Sequence, residues 1–303
     1  MTAPLPDPPP GALLFDRALV RVHRRRGAKD FARHRFLFER AAEDIVQRLE
    51  QIDRTFDPVL LLGPHATLLE QALAASPLAA ARIGRILAMD GRAGGVCGDE
   101  EALPFAPMSF GAVLSLMSLH WTNDLPGALI QIRRVLKPDG LFLGSLFGGE
   151  TLSELREAFG AAEIEIEGGL SPRISPFLDI RDGAALLQRA GFALPVMDRD
   201  RVRVTYPSPL NLMAELRGMG ESNALIERRR MPLKRSVLAR TIEIYAARFP
   251  AKDGRIAASF DIFTMTGWAP HEGQQKPLAP GSAKMRLADA LGAVENPLGN
   301  AED

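Results

Sequence analysis

Apolar residues in this chain gather in short, nearly continuous runs, and between the runs they recur at helical spacing, a pattern that suits strands covered on both faces. The run from Phe110 to Leu119, with Val113, Leu114, Leu116 and Met117 close together, reads as a buried strand. The residues after it separate that reading from a buried helix. Asn123 or Asp124 can cap a helix, Pro126 fits its first turn, and Leu125, Leu129, Ile132 and Leu136 share one face. That helix is expected to stop near Lys137, because Pro138 discourages continuation and Asp139-Gly140 supplies a turn. Leu141 to Phe147 is the next apolar strand. A strand, helix and strand of this size imply a right-handed crossover in a parallel sheet.

The same rhythm runs upstream. Val59 to Leu62 is a strand ending at Gly63, Leu68 to Ala75 a short helix stopped by Pro77, and Arg85 to Met89 a second strand ending in Asp90. Ligands of open α/β sheets sit beyond the carboxyl ends of the strands, so Gly63, Asp90, Asp99 and the corner from Met117 to Trp121 converge on one crevice. An acid ending the second strand can accept hydrogen bonds from both ribose hydroxyls; as Asp90-Gly91 it is equally well a turn. Downstream, a helix over Arg181 to Ala190 precedes an alternating strand, Val196 to Tyr206, whose antiparallel neighbour is Ile256 to Trp268. An insertion at about 207–255 separates the two, with helices over Asn211 to Gly218 and Lys234 to Arg248.

Asp99-Glu100-Glu101-Ala102-Leu103-Pro104-Phe105, Leu119-His120-Trp121 and Leu136-Lys137-Pro138-Asp139-Gly140 together resemble the class I S-adenosylmethionine-dependent methyltransferases of the type 11 group, which includes the malonyl carrier protein methyltransferases of biotin synthesis. Phe147-Gly148-Gly149-Glu150-Thr151-Leu152, GGLSPRISPF at 168–177, LMAELRGMGESN at 212–223, MTGW at 265–268, His271-Glu272 and Gly281-Ser282-Ala283 resemble the respiratory complex I assembly factors more closely. The resemblance spans Phe15 to Ala283. It implies an α/β fold, a class I methyltransferase (Rossmann-like) mixed sheet with helices on both faces, and a helical insertion between the last two strands. It also implies S-adenosylmethionine as cofactor, held by Gly63, Asp90, Asp99, Glu100 and Met117. The implied partner is a protein substrate, an arginine-bearing iron-sulfur subunit of complex I, whose modification in that family is a hydroxylation.

Departures from the family pattern bear on chemistry. Its first motif carries an acid and three glycines, whereas Val59 to Thr67 reads VLLLGPHAT, with Leu61 in the acidic slot and Gly63 alone. Gly111 stands where the next strand usually begins with Phe-Asp. His120 is a candidate general base and equally a strand-end hydrogen-bonding residue, and Trp121 a pocket wall beside the chemistry. Glu150 reads best as the cap of a following helix. Together with GGLSPRISPF, the insertion is either a lid that selects substrate or a cap that only shields the sheet. Arg173, Arg217, Glu221 and Asn223 are its polar candidates for substrate binding, Glu221 being the natural partner of a guanidinium.

Composition narrows the picture further. Residues 1–14 are Pro-rich and expected to be disordered, 15–50 form a basic helical segment, the methyltransferase-like domain runs over 51–283, and 284–303 form a flexible tail. The basic segment covers the cofactor, docks on an acidic partner or membrane, or is simply a solvated face. Over 303 residues, 37 basic and 37 acidic side chains balance, which argues against a nucleic-acid partner. One cysteine, Cys97, excludes an internal disulfide, and the five scattered histidines form no recognisable metal-ligand set. No apolar run reaches the roughly 20 residues that span a bilayer, so membrane contact is peripheral at most. Cytoplasm, or the mitochondrial matrix in a eukaryote, is the expected location. Three functions stand: a protein side-chain enzyme, a carrier-protein or small-molecule O-methyltransferase, and an assembly chaperone that has lost its cofactor.

Overall fold

A computed structural model describes residues 13–89 and 95–274. Asp90, the Gly281-Ser282-Ala283 motif, the tail at 284–303 and most of the Pro-rich stretch at 1–14 lie outside the described residues. The chain divides into a unit ending at Pro270 and a second unit from His271, of which 271–274 form a turn closed by the Gly273 N–H donating to His271 Nδ1 at 3.1 Å.

Two helices come first, α1 (Arg17–Gly27) and α2 (Phe36–Gln51). The strands β1 (Val59–Leu62), β2 (Ile86–Met89), β3 (Phe110–Leu116) and β4 (Leu136–Gly148) then alternate with α3 (Ala66–Ala75), α4 (Pro77–Ala81) and α5 (Leu125–Val135). After α6 (Ser153–Glu167) and α7 (Ile180–Arg189), β5 (Ala193–Tyr206) and β6 (Ile256–Trp268) flank α8 (Pro209–Met219) and α9 (Arg235–Arg248). The sheet order is β2-β1-β3-β4-β6-β5, parallel from β2 to β4 and antiparallel across β6 and β5. This is the α/β class I methyltransferase arrangement.

Strand periodicity sorts the core into two layers. Val59 and Leu61 face one side and Leu60 and Leu62 the other, all at most 1% exposed. Leu61 joins the layer that α2, α3, α6, α8 and α9 build with Phe38, Leu69, Leu155 and Tyr245. Leu60 and Leu62 join the layer that α5 and α7 complete with Leu129, Ile132 and Leu187. On β6, Phe260 and Ile262 belong to the first layer, Phe263 and Met265 to the second. The insertion helices thus extend the core on one face only.

Several local expectations need correction. Lys137-Pro138-Asp139-Gly140 is a bulge inside β4, not a turn ahead of it: Leu136 already pairs with Phe110, and pairing resumes at Ala112 with Leu141. Asp139 takes the left-handed conformation, φ 61°, that the bulge requires. Pro77 ends α3 and also opens α4, capped by the Ser76 hydroxyl accepting from the Ala79 N–H at 3.2 Å. Of the two expected caps of α5, Asp124 takes the position, with Oδ1 accepting from the Gly127 N–H at 2.8 Å. Glu150 is not the cap of α6; that position is Leu152, in the left-handed conformation. Gly111 has a packing reason, since a Cβ there would come within 2.8 Å of the Asp57 backbone nitrogen.

Candidate functional site

The corner after β3 is built to expose little and hold much. Met117 is buried with φ 48°, and its N–H donates to the Ser145 carbonyl at 2.9 Å, turning the chain into a short helical turn at Leu119–Trp121. His120 and Trp121 leave that turn side by side, and both meet one carboxylate. Glu221 Oε2 lies 2.9 Å from His120 Nε2 and accepts from Trp121 Nε1–H at 2.7 Å. Burial pushes the Glu221 carboxyl up, but His120, the Arg24 charge and the Trp121 donor outweigh it and hold the group below the usual glutamate range. Glu221 is therefore a carboxylate near neutral pH, and its second oxygen, Oε1, is buried without a hydrogen-bond partner.

The glycines of GMGESN explain how Glu221 reaches that corner. A Cβ on Gly27 would lie 2.8 Å from the Gly218 carbonyl oxygen, and one on Gly220, φ 80°, would lie 2.9 Å from the Arg24 Cα. Only glycine lets α1 and the end of α8 approach this closely. Beyond them, Asn223 Nδ2 donates to the Pro172 carbonyl at 2.9 Å, tying the turn to GGLSPRISPF. In that second motif, Arg173 is held by the buried Glu163 at 2.7 Å and lies over the Phe159 ring at 5.4 Å. Its guanidinium is thus committed to structure.

Arg173, Arg217, Glu221 and Asn223, scattered over fifty positions of sequence, line one cavity of about 280 Å³ together with Trp121. Phe147, Phe159, Phe177 and Phe260 form its walls. His120 stands behind the wall, its ring 5.2 Å from that of Phe147. The result is an aromatic-sided slot lined by a buried glutamate, Glu221, whose Oε1 has no hydrogen-bond partner, and by an exposed arginine, Arg217.

The cofactor candidates sit along the strand ends. Gly63, φ 103°, closes β1, and a Cβ there would strike Ser118 Oγ at 2.5 Å, so this glycine serves the protein's own packing. Asp99 and Glu100 both bind the Arg17 guanidinium, and Glu101 stands 3.4 Å from it. Arg17 was not among the sequence candidates, nor was Asn123 in its actual role: its Oδ1 accepts from the N–H groups of Leu14 and Phe15 at 2.8 and 2.7 Å and ties the segment ahead of α1 to the chain just after the His-Trp corner. Nothing in the basic pattern of α1 distinguishes Arg17 from its neighbours. Among the described residues, no three His, Cys, Asp or Glu side chains are grouped to hold a metal ion, and no helix is long and apolar enough to cross a membrane.

Residues 62–144 match the methyltransferase domain family Methyltransf_11. The zebrafish (Danio rerio) protein named arginine-hydroxylase NDUFAF5, mitochondrial, is 38% identical over 289 residues, covering 92% of this chain and 90% of its own. The chain belongs to the NDUFAF5 family. The malonyl-[acyl-carrier protein] O-methyltransferase of Laribacter hongkongensis is 33% identical over 86% of this chain and 91% of its own. Among solved structures, 1,6-didemethyltoxoflavin-N1-methyltransferase of Burkholderia thailandensis aligns at 17% identity and TM-score 0.43, over 89% of this chain and 94% of its own.

Whether the crevice suits S-adenosylmethionine can be asked of its own atoms. The cavity beside Gly63 to Thr67, about 390 Å³, is lined by Arg24 and Arg35, with no carboxylate among the described lining residues. Arg24 Nε and Nη2 are sealed from solvent and donate to nothing. Such an orphaned guanidinium fits the carboxylate of the cofactor's amino-acid end, which the degenerate loop alone is poorly equipped to hold.

Proposed function

We propose that this protein is a methyltransferase-fold enzyme that acts on an arginine side chain of an iron-sulfur subunit during assembly of respiratory complex I, with S-adenosylmethionine as its ligand. The observation that carries the reading is an aromatic-sided slot lined by Glu221, a buried carboxylate whose Oε1 has no hydrogen-bond partner. A guanidinium is flat, cationic and weakly hydrated, so it stacks on aromatic faces while donating to a carboxylate. The relative named arginine-hydroxylase supports the same substrate class.

The residues divide the work by position. Glu221, held below the usual glutamate range, binds and orients the guanidinium instead of taking its proton. His120 and Trp121 fix the Glu221 carboxylate through Oε2, leaving Oε1 for the incoming N–H. Phe147, Phe159, Phe177 and Phe260 exclude water from the slot, and Arg217 and Asn223 stand where the flanking peptide would pass. Arg24 lines the ligand crevice beside the loop that Gly63 opens, and Asp99 and Glu100 are held by Arg17. S-adenosylmethionine supplies an electrophilic methyl group when bound, whereas hydroxylation draws its oxygen and oxidant from elsewhere. A location in cytoplasm or matrix, next to a membrane complex, accords with the described residues, in which no helix is long and apolar enough to cross a membrane.

The test is to incubate the purified protein with the iron-sulfur subunit and S-adenosylmethionine, with dioxygen and a two-electron reductant supplied, and to read arginine-containing peptides by mass spectrometry. A gain of one methylene mass supports methyl transfer, and a gain of one oxygen mass supports hydroxylation. An unmodified subunit that still forms a stable complex would replace the enzyme reading with that of an assembly chaperone.

A further inference from the structure

Helix α8 shows one side to the aromatic slot and another to a second cavity, of about 430 Å³. Met213 lines the slot and Ala214 the second cavity, while Arg217 and Ser222 line both. The opposite wall of the second cavity comes from the end of α1 and the turn after it, with His23, Arg26, Asp30 and His34.

Most polar groups around this cavity are engaged. His23 Nδ1 lies 3.2 Å from the Ser222 carbonyl oxygen, which can only accept, so Nδ1 carries the ring proton. Burial, aided by the Arg26 charge, pushes His23 below the ordinary histidine value and keeps the ring neutral near pH 7; that influence also puts the Arg26 charge close to the cavity wall. His34 Nδ1 lies 2.9 Å from Glu215 Oε2 and occupies that carboxylate. Arg217 Nε donates to the Met213 carbonyl at 3.2 Å, which holds its guanidinium on the ridge between slot and cavity. Arg26 and Arg217 are both exposed and form no ion pair among the described residues, whereas Arg17, Arg35 and Arg40 each hold a carboxylate. Asp30 is the one carboxylate among the described lining residues. Two guanidinium charges therefore stand against one carboxylate in a concave site, where the field of a surplus charge is focused.

We propose that this second cavity is a subsite for an acidic side chain of the protein substrate, bound by Arg26 and Arg217 while the modified arginine occupies the aromatic slot. The inference rests on the reading of the slot as a guanidinium site. The planar forks of two arginines suit a carboxylate, and Arg217 belongs to both cavities, so one peptide can cross the ridge and fill each. That ridge is the last turn of α8, and a helix with its side chains is about 10 to 12 Å across. An extended peptide advances about 3.3 Å per residue, which sets the aspartate or glutamate about three or four positions from the arginine. Substrate choice then depends on α1 as well as on the insertion.

The experiment is fluorescence anisotropy of the full chain with labelled peptides that carry a central arginine in a glycine-serine background and a single aspartate moved one position at a time to either side. At one register, about three or four residues out, aspartate should bind about three- to tenfold more tightly than asparagine, the worth of one carboxylate shared by two partly exposed guanidinium groups. The advantage should fade as salt rises from about 0.05 to 0.5 M. Arg26→Gln and Arg217→Gln should each reduce it to less than about twofold, whereas Arg25→Gln leaves it intact. Arg26→Glu should reverse the preference toward lysine at the same register, a gain that misfolding cannot produce. Equal affinity for aspartate and asparagine at every register, or an advantage that survives both glutamine variants, overturns the subsite alone. Undiminished binding when the central arginine becomes glutamine overturns the slot reading instead. If no peptide binds, both fall.

Discussion

Replacing Glu221 by glutamine tests whether the joint between α1, the His-Trp corner and the GMGESN turn is held by charge. The side chain is only 6% exposed, so its interactions are little screened by solvent. The substitution keeps the shape but exchanges two charge-assisted contacts, to His120 at 2.9 Å and Trp121 at 2.7 Å, for neutral ones, and removes the counter-charge nearest the buried Arg24 guanidinium. A buried hydrogen bond to a charged group is worth about 1.5 to 3 kcal/mol, and that is the destabilisation expected at pH 7 in urea unfolding followed by tryptophan fluorescence. The lowered Glu221 pKa sets the sign with pH: the contribution is complete above the unfolded value near 4.5 and is lost as pH falls through the folded value. The gap between the two proteins should therefore narrow below about pH 4.5. Because every other acid is common to both proteins, the difference isolates Glu221. A gap under about 0.5 kcal/mol at pH 7, or one that persists undiminished into acid, would refute the reasoning.

Three further perturbations probe other parts of the molecule. Gly27→Ala places a methyl 2.8 Å from a backbone oxygen that cannot swing aside, and should cost about 1 to 3 kcal/mol with faster amide exchange along α1; unchanged exchange would mean the helices do not need that approach. Leu61→Asp restores the family's acid, yet Leu61 is fully buried in the core, so loss of more than about 3 kcal/mol is expected, and a stable variant with tightened ligand binding would show the slot to be open to the crevice. Asp261, fully buried, binds Arg201 through both oxygens at 2.7 and 2.9 Å and accepts from the Glu150 N–H at 3.0 Å. Burial raises its pKa and these donors lower it further, so Asp261→Asn should cost about 1 to 3 kcal/mol at neutral pH, discounted for the half-exposed Arg201. That difference should fade only below about pH 3.8, and a loss already near pH 6 would contradict it.

The strands and most helices were legible in the chain itself, because burial on both faces demands continuous apolar runs and α5 and the edge strand β5 repeat with clear periods. The left-handed bulge in β4 was not, since Pro138 and Asp139-Gly140 suit a free turn equally well, and only the pairing of Leu136 with Phe110 decides between them. Glu221, Asn223, Arg173 and Arg217 could be singled out as polar residues in long motifs, but a linear pattern does not say that they share a cavity. Glycine-mediated contact of α1 with α8 and the Asn223 bond to Pro172 bring them together. Tertiary structure alone assigned the arginines of α1, whose helical spacing and composition are alike. Arg17 meets Asp99 and Glu100, Arg24 further along the helix has Nε and Nη2 buried and unsatisfied, and others remain in solvent. The physical reason is range: periodicity reports which face of an element is apolar, whereas the partner of a charge is chosen by whatever distant segment packs against it.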